Sequence, residues 1–200
     1  MLNIALTGNA GAGKSTVVRW FGQWGATIID ADALVREVQA PGSETLAEIS
    51  RRFGEEVILP DGSLDRSALR TKVLADAQAL ASLNEIVHPA VQRRRAELIS
   101  EARDRGAQIV VNDIPLLFEV LDPSAFDLVV LVDAPDSVRR QRLIGRGLKP
   151  DEANRLMASQ LHSDTKRPMS DIVIDNDGSL VDLELRSRQA WDRILEHVSD

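Results

Sequence analysis

The stretch LTGNAGAGKSTVV, residues 6–18, sets three glycines, a lysine and three hydroxyl residues between two apolar segments. A loop so poor in side chains cannot form core, so its backbone must serve something else. Glycine permits positive φ and lets successive amides converge on an anion. A helix starting at the loop adds its dipole. Gly8, Gly13, Lys14 and Ser15 fit G-x-x-x-x-G-K-[ST], where the lysine reaches β- and γ-phosphates and the hydroxyl ligates Mg²⁺. Thr16 packs or caps behind them. The motif needs a strand before it and a helix after it, and the flanking patterns supply both.

Five short apolar segments read as buried strands: 2–7, 26–30, 108–113, 127–133 and 171–175. Thr7, Asp30, Asp113 and Asp133 end four of them, and ligands of open parallel sheets bind at that carboxyl edge. Helical patterns cover 14–24, closed by Gly25, and then roughly 32–39, 43–53, 65–74, 76–87 and 89–105. Pro89 suits a first helical turn and Gly106 a C-terminal cap. A further pair, 136–147 and 150–162, is rich in arginine and interrupted by Gly145 and Gly147. The expected fold class is α/β: a three-layer P-loop NTPase fold with a five-stranded parallel sheet, helices on both faces, a helical substrate-binding insertion and a helical lid. The expected division is a nucleotide-binding core of 1–31, 107–135 and 168–200, an insertion of 32–106 and a lid of 136–167.

Composition removes several classes. The net charge is -7, which argues against a nucleic-acid binder with a basic face. The absence of cysteine excludes disulfides, thiol nucleophiles and thiolate metal sites. His88, His162 and His197 are too dispersed for a zinc pattern. No apolar run approaches the ~20 residues of a membrane span, and the first residues do not read as a secretory signal. A cytoplasmic enzyme without membrane or nucleic-acid partners is expected, most simply a monomer. Only four of the 24 basic residues are lysines, and none follows an asparagine, so the N-K-x-D guanine-reading motif of switch proteins is missing.

Asp30 and Asp32 end the second strand and open a helix. Asp32 there either orients and deprotonates an attacking hydroxyl or caps the helix. Asp30 is open between a cap, a partner of Lys14 and a water-mediated metal ligand. Asp113 is placed either as a metal or water contact or as a strand-end acid held by loop amides. Arg139, Arg142 and Arg146 share one helix face. They form either a solvated surface or a clamp on transferring phosphate, with Arg142 and Arg146 as the inward pair.

With these residues in place, the chain resembles the dephospho-CoA kinases. The resemblance runs through LTGNAGAGKSTV, WGATIIDAD, APGSETLAEISRRFG, LPDGSLDRSALR, LNEIVHPAV, IPLLFE and DIVIDNDGS. It implies transfer of the ATP γ-phosphate to the ribose 3′-hydroxyl of dephospho-CoA with Mg²⁺, the last step of coenzyme A biosynthesis. It implies that Gly11, Ala12, Gly13, Lys14, Ser15 and Thr16 cradle ATP, that Ser15 and Asp113 serve the metal, and that Asp32 is the general base. Asn176 and Gly178 border the adenine. His88, Pro115 and Leu116 belong to the acceptor side, His88 otherwise being a helix-start residue. Arg66 and Arg70 either contact acceptor phosphates or brace the insertion. Family loops often read Gly-Gly-Ile-Gly-Ser-Gly; Asn9, Ala10 and Ala12 depart from this, which bears on fine loop geometry. Two other classes fit the residues alone: another small-molecule or nucleoside kinase, and a nucleotide-dependent regulatory protein.

Overall fold

A computed structural model of the chain describes residues 1–198. Five strands, β1 (Leu2–Thr7), β2 (Thr27–Asp30), β3 (Ile109–Asp113), β4 (Leu128–Asp133) and β5 (Ile172–Asp175), form one sheet in the order β2-β3-β1-β4-β5. β1 lies parallel between β3 and β4, with Leu6 opposite Asp113 and Thr7 opposite Leu131. β4 and β5 are parallel with Asp133 opposite Asp175. All six residues of β4 are buried, so both sheet faces are covered. The order reverses between β1 and β3, which opens the crevice at which such sheets take ligands.

The chain forms two compact units, one of residues 1–29 and 102–200 and the other of residues 30–101. The first holds the sheet, α1 (Lys14–Gln23) and, after β3, α6 (Leu117–Val120), α7 (Asp136–Gly145), α8 (Pro150–Ala158), α9 (Ser163–Lys166) and α10 (Leu180–Glu196). Val17, Trp20 and Phe21 of α1 recur at helical spacing and are buried among sheet residues and Trp191 and Ile194 of α10. Phe21 and Trp191 meet at 5.1 Å between ring centroids, and the Arg188 guanidinium lies 3.7 Å from the Trp24 ring centroid. The expected lid, 136–167, belongs to this unit.

The second unit holds α2 (Ala31–Val38), α3 (Glu44–Phe53), α4 (Arg66–Ala75) and most of α5 (Ala77–Asp104) around its own core, in which Ile49 and Val57 are fully buried. Asp30, Ser43 and Asp65 cap α2, α3 and α4 through their side chains.

Two expectations change. Pro89 does not begin a helix: α5 runs unbroken for 28 residues with Pro89 inside it. Proline removes one amide from the ladder and crowds the preceding turn, which is why a break was the natural reading. Val87 and Ala90, buried on either side of it, hold the helix together by packing. The helix expected over 150–162 stops at Ala158, where the Ser159 hydroxyl turns back to the Leu156 carbonyl. α9 then begins after His162.

All three tryptophans, Trp20, Trp24 and Trp191, lie around Phe21. Phe21→Ala is expected to destabilise the chain by ~3–5 kcal/mol, read as a lowered urea midpoint by tryptophan emission.

Candidate active site

The loop after β1 has few side chains with which to hold itself, and neighbouring backbone closes tightly around its glycines. A Cβ at Gly8 would fall 2.5 Å from the Val132 carbonyl oxygen. Gly11 has φ +81 and would place a Cβ 2.7 Å from the Arg139 carbonyl oxygen. Gly13 has φ +100, and a Cβ there would lie 2.2 Å from the Asn176 amide nitrogen. Both positive φ values sit in the left-handed region that side chains avoid.

The loop runs into α1 through Gly13. No side chain caps this helix, and its first turn has no acid. The first amides of a helix lack intrahelical partners and carry its positive end, so Lys14, Ser15 and Thr16 open a site for an anion. Ser15 is exposed there, and Thr16 is half-buried with its amide on the Gly13 carbonyl. Ala12 is buried, its amide donating to the Asn9 carbonyl. The Lys14 ammonium pairs with the Asp113 carboxylate, joining the end of the loop to the end of β3.

Side chains from later elements hold the loop from behind. Arg139, 2% exposed, donates through Nε to the Ala10 carbonyl (3.1 Å) and pairs with Asp136 (2.8 Å). Arg142 donates to the Gly11 carbonyl (3.3 Å) and to the backbone and side-chain oxygens of Asn176 (3.2 and 3.1 Å). Asn176 donates its amide to the Ala12 carbonyl (2.7 Å). The Ala10 amide donates to Gln160 Oε1 (2.9 Å). At the strand ends, Arg167 bridges Asp133 (2.8 Å) and Asp175 (2.7 Å). These two acids, Asp175 foremost, hold its guanidinium above the usual range.

The other sequence candidates fall as follows. Gly178 is exposed ahead of α10, whose start is closed by a Ser179–Asp182 capping box. Asp30, not Asp32, caps α2, its Oδ1 accepting from the Ala33 amide (3.0 Å). Asp32 is exposed in the first turn of α2. Arg66 donates to Gln39 Oε1 (2.7 Å) within the second unit, while Arg70 is exposed on α4. His88 is exposed within α5 and not at a helix start. The Pro115 carbonyl accepts from the Thr7 hydroxyl (3.4 Å), and exposed Leu116 precedes α6. For Arg139 and Arg142 of α7 and Arg146 just after it, inward order differs from expectation: Arg139 is buried, Arg142 half-buried and Arg146 exposed. Helical spacing gave them one face but not the depth of each. Asn9, Glu119, Gln160, Ser163 and Lys166 were not singled out as functional; the departure at Asn9 was the one visible signal.

A family model described as dephospho-CoA kinase matches residues 2–182. A dephospho-CoA kinase of Corynebacterium glutamicum is 40% identical over 200 residues, covering all of both chains. The chain belongs to the dephospho-CoA kinase family. It is a kinase, and membership carries ATP as phosphoryl donor. A dephospho-CoA kinase of Mycolicibacterium paratuberculosis is 45% identical over 192 residues, and the chain spans 47% of that longer relative. The crystal structure of a Thermus thermophilus protein, 35% identical, superposes with a TM-score of 0.83 over 97% of this chain and 96% of that one. No helix among the described residues is long and apolar enough to cross a membrane.

Mg²⁺ usually keeps several waters and binds through phosphates plus one or two protein oxygens. The donor set fits that habit: Ser15 offers an exposed hydroxyl, Asp113 a carboxylate beside the loop, and no three-carboxylate cage exists among the described residues.

Gly13→Ala is expected to weaken ATP binding at least tenfold, because the added methyl displaces Asn176 and strains a positive φ. Isothermal calorimetry checks this, with circular dichroism to confirm an intact fold.

Proposed function

We propose that the chain transfers the γ-phosphoryl group of ATP to the ribose 3′-hydroxyl of dephospho-CoA, giving coenzyme A and ADP. The observation that carries this reading is the uncapped, glycine-entered N-terminus of α1 with Lys14 beside it, set in a chain that matches the family from residue 2 to residue 182. The residues of the loop receive the phosphates: Gly8 and Gly11 keep its backbone path, Ala12 and Thr16 line the cradle, and the amides of Gly13, Lys14 and Ser15 face the charge. The Lys14 ammonium adds a full positive charge, held ready at the end of β3 by Asp113. Asn176 and Gly178 border the adenine.

Ser15 and Asp113 are the residues that would hold Mg²⁺. When bound, the ion neutralises charge on the phosphate oxygens.

Asp32 orients the attacking hydroxyl and takes its proton. Its place as the second acid of Asp30-Ala31-Asp32 supports this, and so does the division of labour in α2, where Asp30 does the capping and Asp32 remains exposed. The insertion, 32–106, receives the acceptor through Arg66, Arg70 and His88, with Pro115 and Leu116 contributed by the segment after β3. Residues 136–167 act as the lid. Arg142 supports the loop through Gly11 and Asn176, and Arg146, exposed at the end of α7, meets the transferring phosphate.

The deciding assay is ADP release with ATP, Mg²⁺ and dephospho-CoA beside a nucleoside panel, with product mass checked for one added phosphate. Strong stimulation by dephospho-CoA alone is expected; turnover only on another acceptor would discard the acceptor assignment. Asp32→Asn is expected to lower kcat by ~10² to 10⁴ with little change in ATP affinity. Unchanged turnover would remove Asp32 from the mechanism.

A further inference from the structure

Lys166 is the most enclosed cation in the described chain. Its side chain is 0% exposed, at the end of α9. Burying an ammonium is costly unless every donor is used well. Here Nζ forms an ion pair with Glu119 Oε1 and donates to Asn9 Oδ1, each at 2.7 Å. The Asn9 amide group donates in turn to the Leu161 carbonyl (3.1 Å) and to Ser163 Oγ (3.3 Å). A lysine only donates and a carbonyl only accepts, so these partners fix which way the Asn9 amide points. The Ser163 hydroxyl donates onward to Asp133 Oδ1 (2.6 Å), and the Leu161 amide donates to Glu119 Oε1 (3.0 Å).

Three segments meet at this ammonium. Glu119 comes from the stretch after β3, Lys166 and its neighbours from the stretch after α8, and Asn9 from the glycine loop. The loop contact is backbone-linked to the phosphate-facing half, since the Asn9 carbonyl accepts the Ala12 amide (2.9 Å). The network is not arranged for stability alone: Glu119 Oε2 is buried without a hydrogen-bond partner among the described residues. A buried ion pair of this kind usually gains little over apolar side chains of the same shape.

We propose that Lys166 is a positioning residue for the nucleotide loop. Locked by Glu119, its ammonium holds Asn9 and thereby fixes the path of the loop before ATP arrives. This rests on the reading of residues 8–16 as the ATP cradle. A loop held in its bound conformation loses less freedom on binding, so the device acts on ATP affinity and not on the chemical step.

The test uses Asn9→Ala, Lys166→Met and the double variant Lys166→Met with Glu119→Gln in the full chain. ATP binding is measured by calorimetry, Tm by thermal unfolding, and KM and kcat in the dephospho-CoA assay. Asn9→Ala is expected to weaken ATP binding about tenfold, the worth of one hydrogen bond to a charged group. Its Tm is expected to fall modestly, because the buried Lys166 ammonium loses an acceptor, and in turnover the loss is expected in the ATP KM and not in the dephospho-CoA KM. Lys166→Met strands the Glu119 charge and lowers Tm. The double variant recovers Tm yet keeps the weakened ATP binding. ATP affinity that returns with Tm, or that is unchanged in Asn9→Ala, overturns the proposal and leaves a structural ion pair. Should Lys166→Met fail to fold, Asn9→Ala decides. Because the binding measurement needs no acceptor, weaker ATP binding by Asn9→Ala supports the proposal even if dephospho-CoA is not the substrate. A wild-type chain that binds no ATP overturns the cradle and this proposal together.

Discussion

On the proposed function, a loop that binds phosphate with its backbone can do little to hold itself, because a polar group used internally is lost to the ligand. The fold resolves this by supplying the supports from elsewhere. Arg139 holds the Ala10 carbonyl, Arg142 the Gly11 carbonyl, Asn176 the Ala12 carbonyl and Gln160 the Ala10 amide. The carbonyl side of the loop is thereby satisfied by side chains that only donate there. The amides at the start of α1, which no side chain caps, are left for the anion. Placing α7, α9 and the turn after β5 around the loop follows from this need as much as from any lid motion.

The same edge carries a second problem. A parallel sheet whose strands end in acids sets like charges side by side, and Asp133 stands opposite Asp175 in the pairing of β4 with β5. Arg167 sits between them, and Lys14 answers Asp113 at the end of β3. The two solutions differ in kind. Arg167 is a permanent bridge with both carboxylates in reach of one guanidinium. On the proposed function, the Lys14 pair joins two groups that take other partners when the nucleotide binds, so one charge neutralisation is exchanged for another without leaving a partly buried charge unpaired.

Much of this was legible in the sequence, for physical reasons. The strands are short apolar runs, four of the five closed by an acid and β1 by Thr7, and the sheet needs nothing else to be recognised. The loop is legible because only glycine tolerates φ +81 against the backbone of α7 and φ +100 against the side chain of Asn176, while Gly8 leaves no room for a Cβ beside the Val132 carbonyl of β4. Pro89 was misleading, since local chemistry favours a break and only the packing of Val87 and Ala90 carries α5 through it. The order of Arg139, Arg142 and Arg146 was out of reach. Spacing sets direction around a helix axis, whereas depth depends on what α7 packs against. The Lys166 network was hidden for a related reason: its members are separated by up to 157 positions, and each alone reads as an ordinary polar residue.

The choice of cation carries its own argument. This chain uses arginine almost everywhere, with four lysines among 24 basic residues, yet two of the four serve the glycine loop. Guanidinium is a planar fork suited to carbonyls and carboxylates approached edge-on, and Arg139 and Arg142 use it so against the back of the loop. On the proposed function Lys14 meets a phosphate arriving from solvent, and Lys166 fills a closed space between one carboxylate oxygen and one amide oxygen. Both tasks call for a compact charge on a flexible stem. Of the others, Lys72 pairs with Glu56 in the second unit and Lys149 precedes α8. In a chain with this bias, a buried lysine is therefore informative in itself: it marks a place where the geometry of a point charge matters more than the strength of a fork.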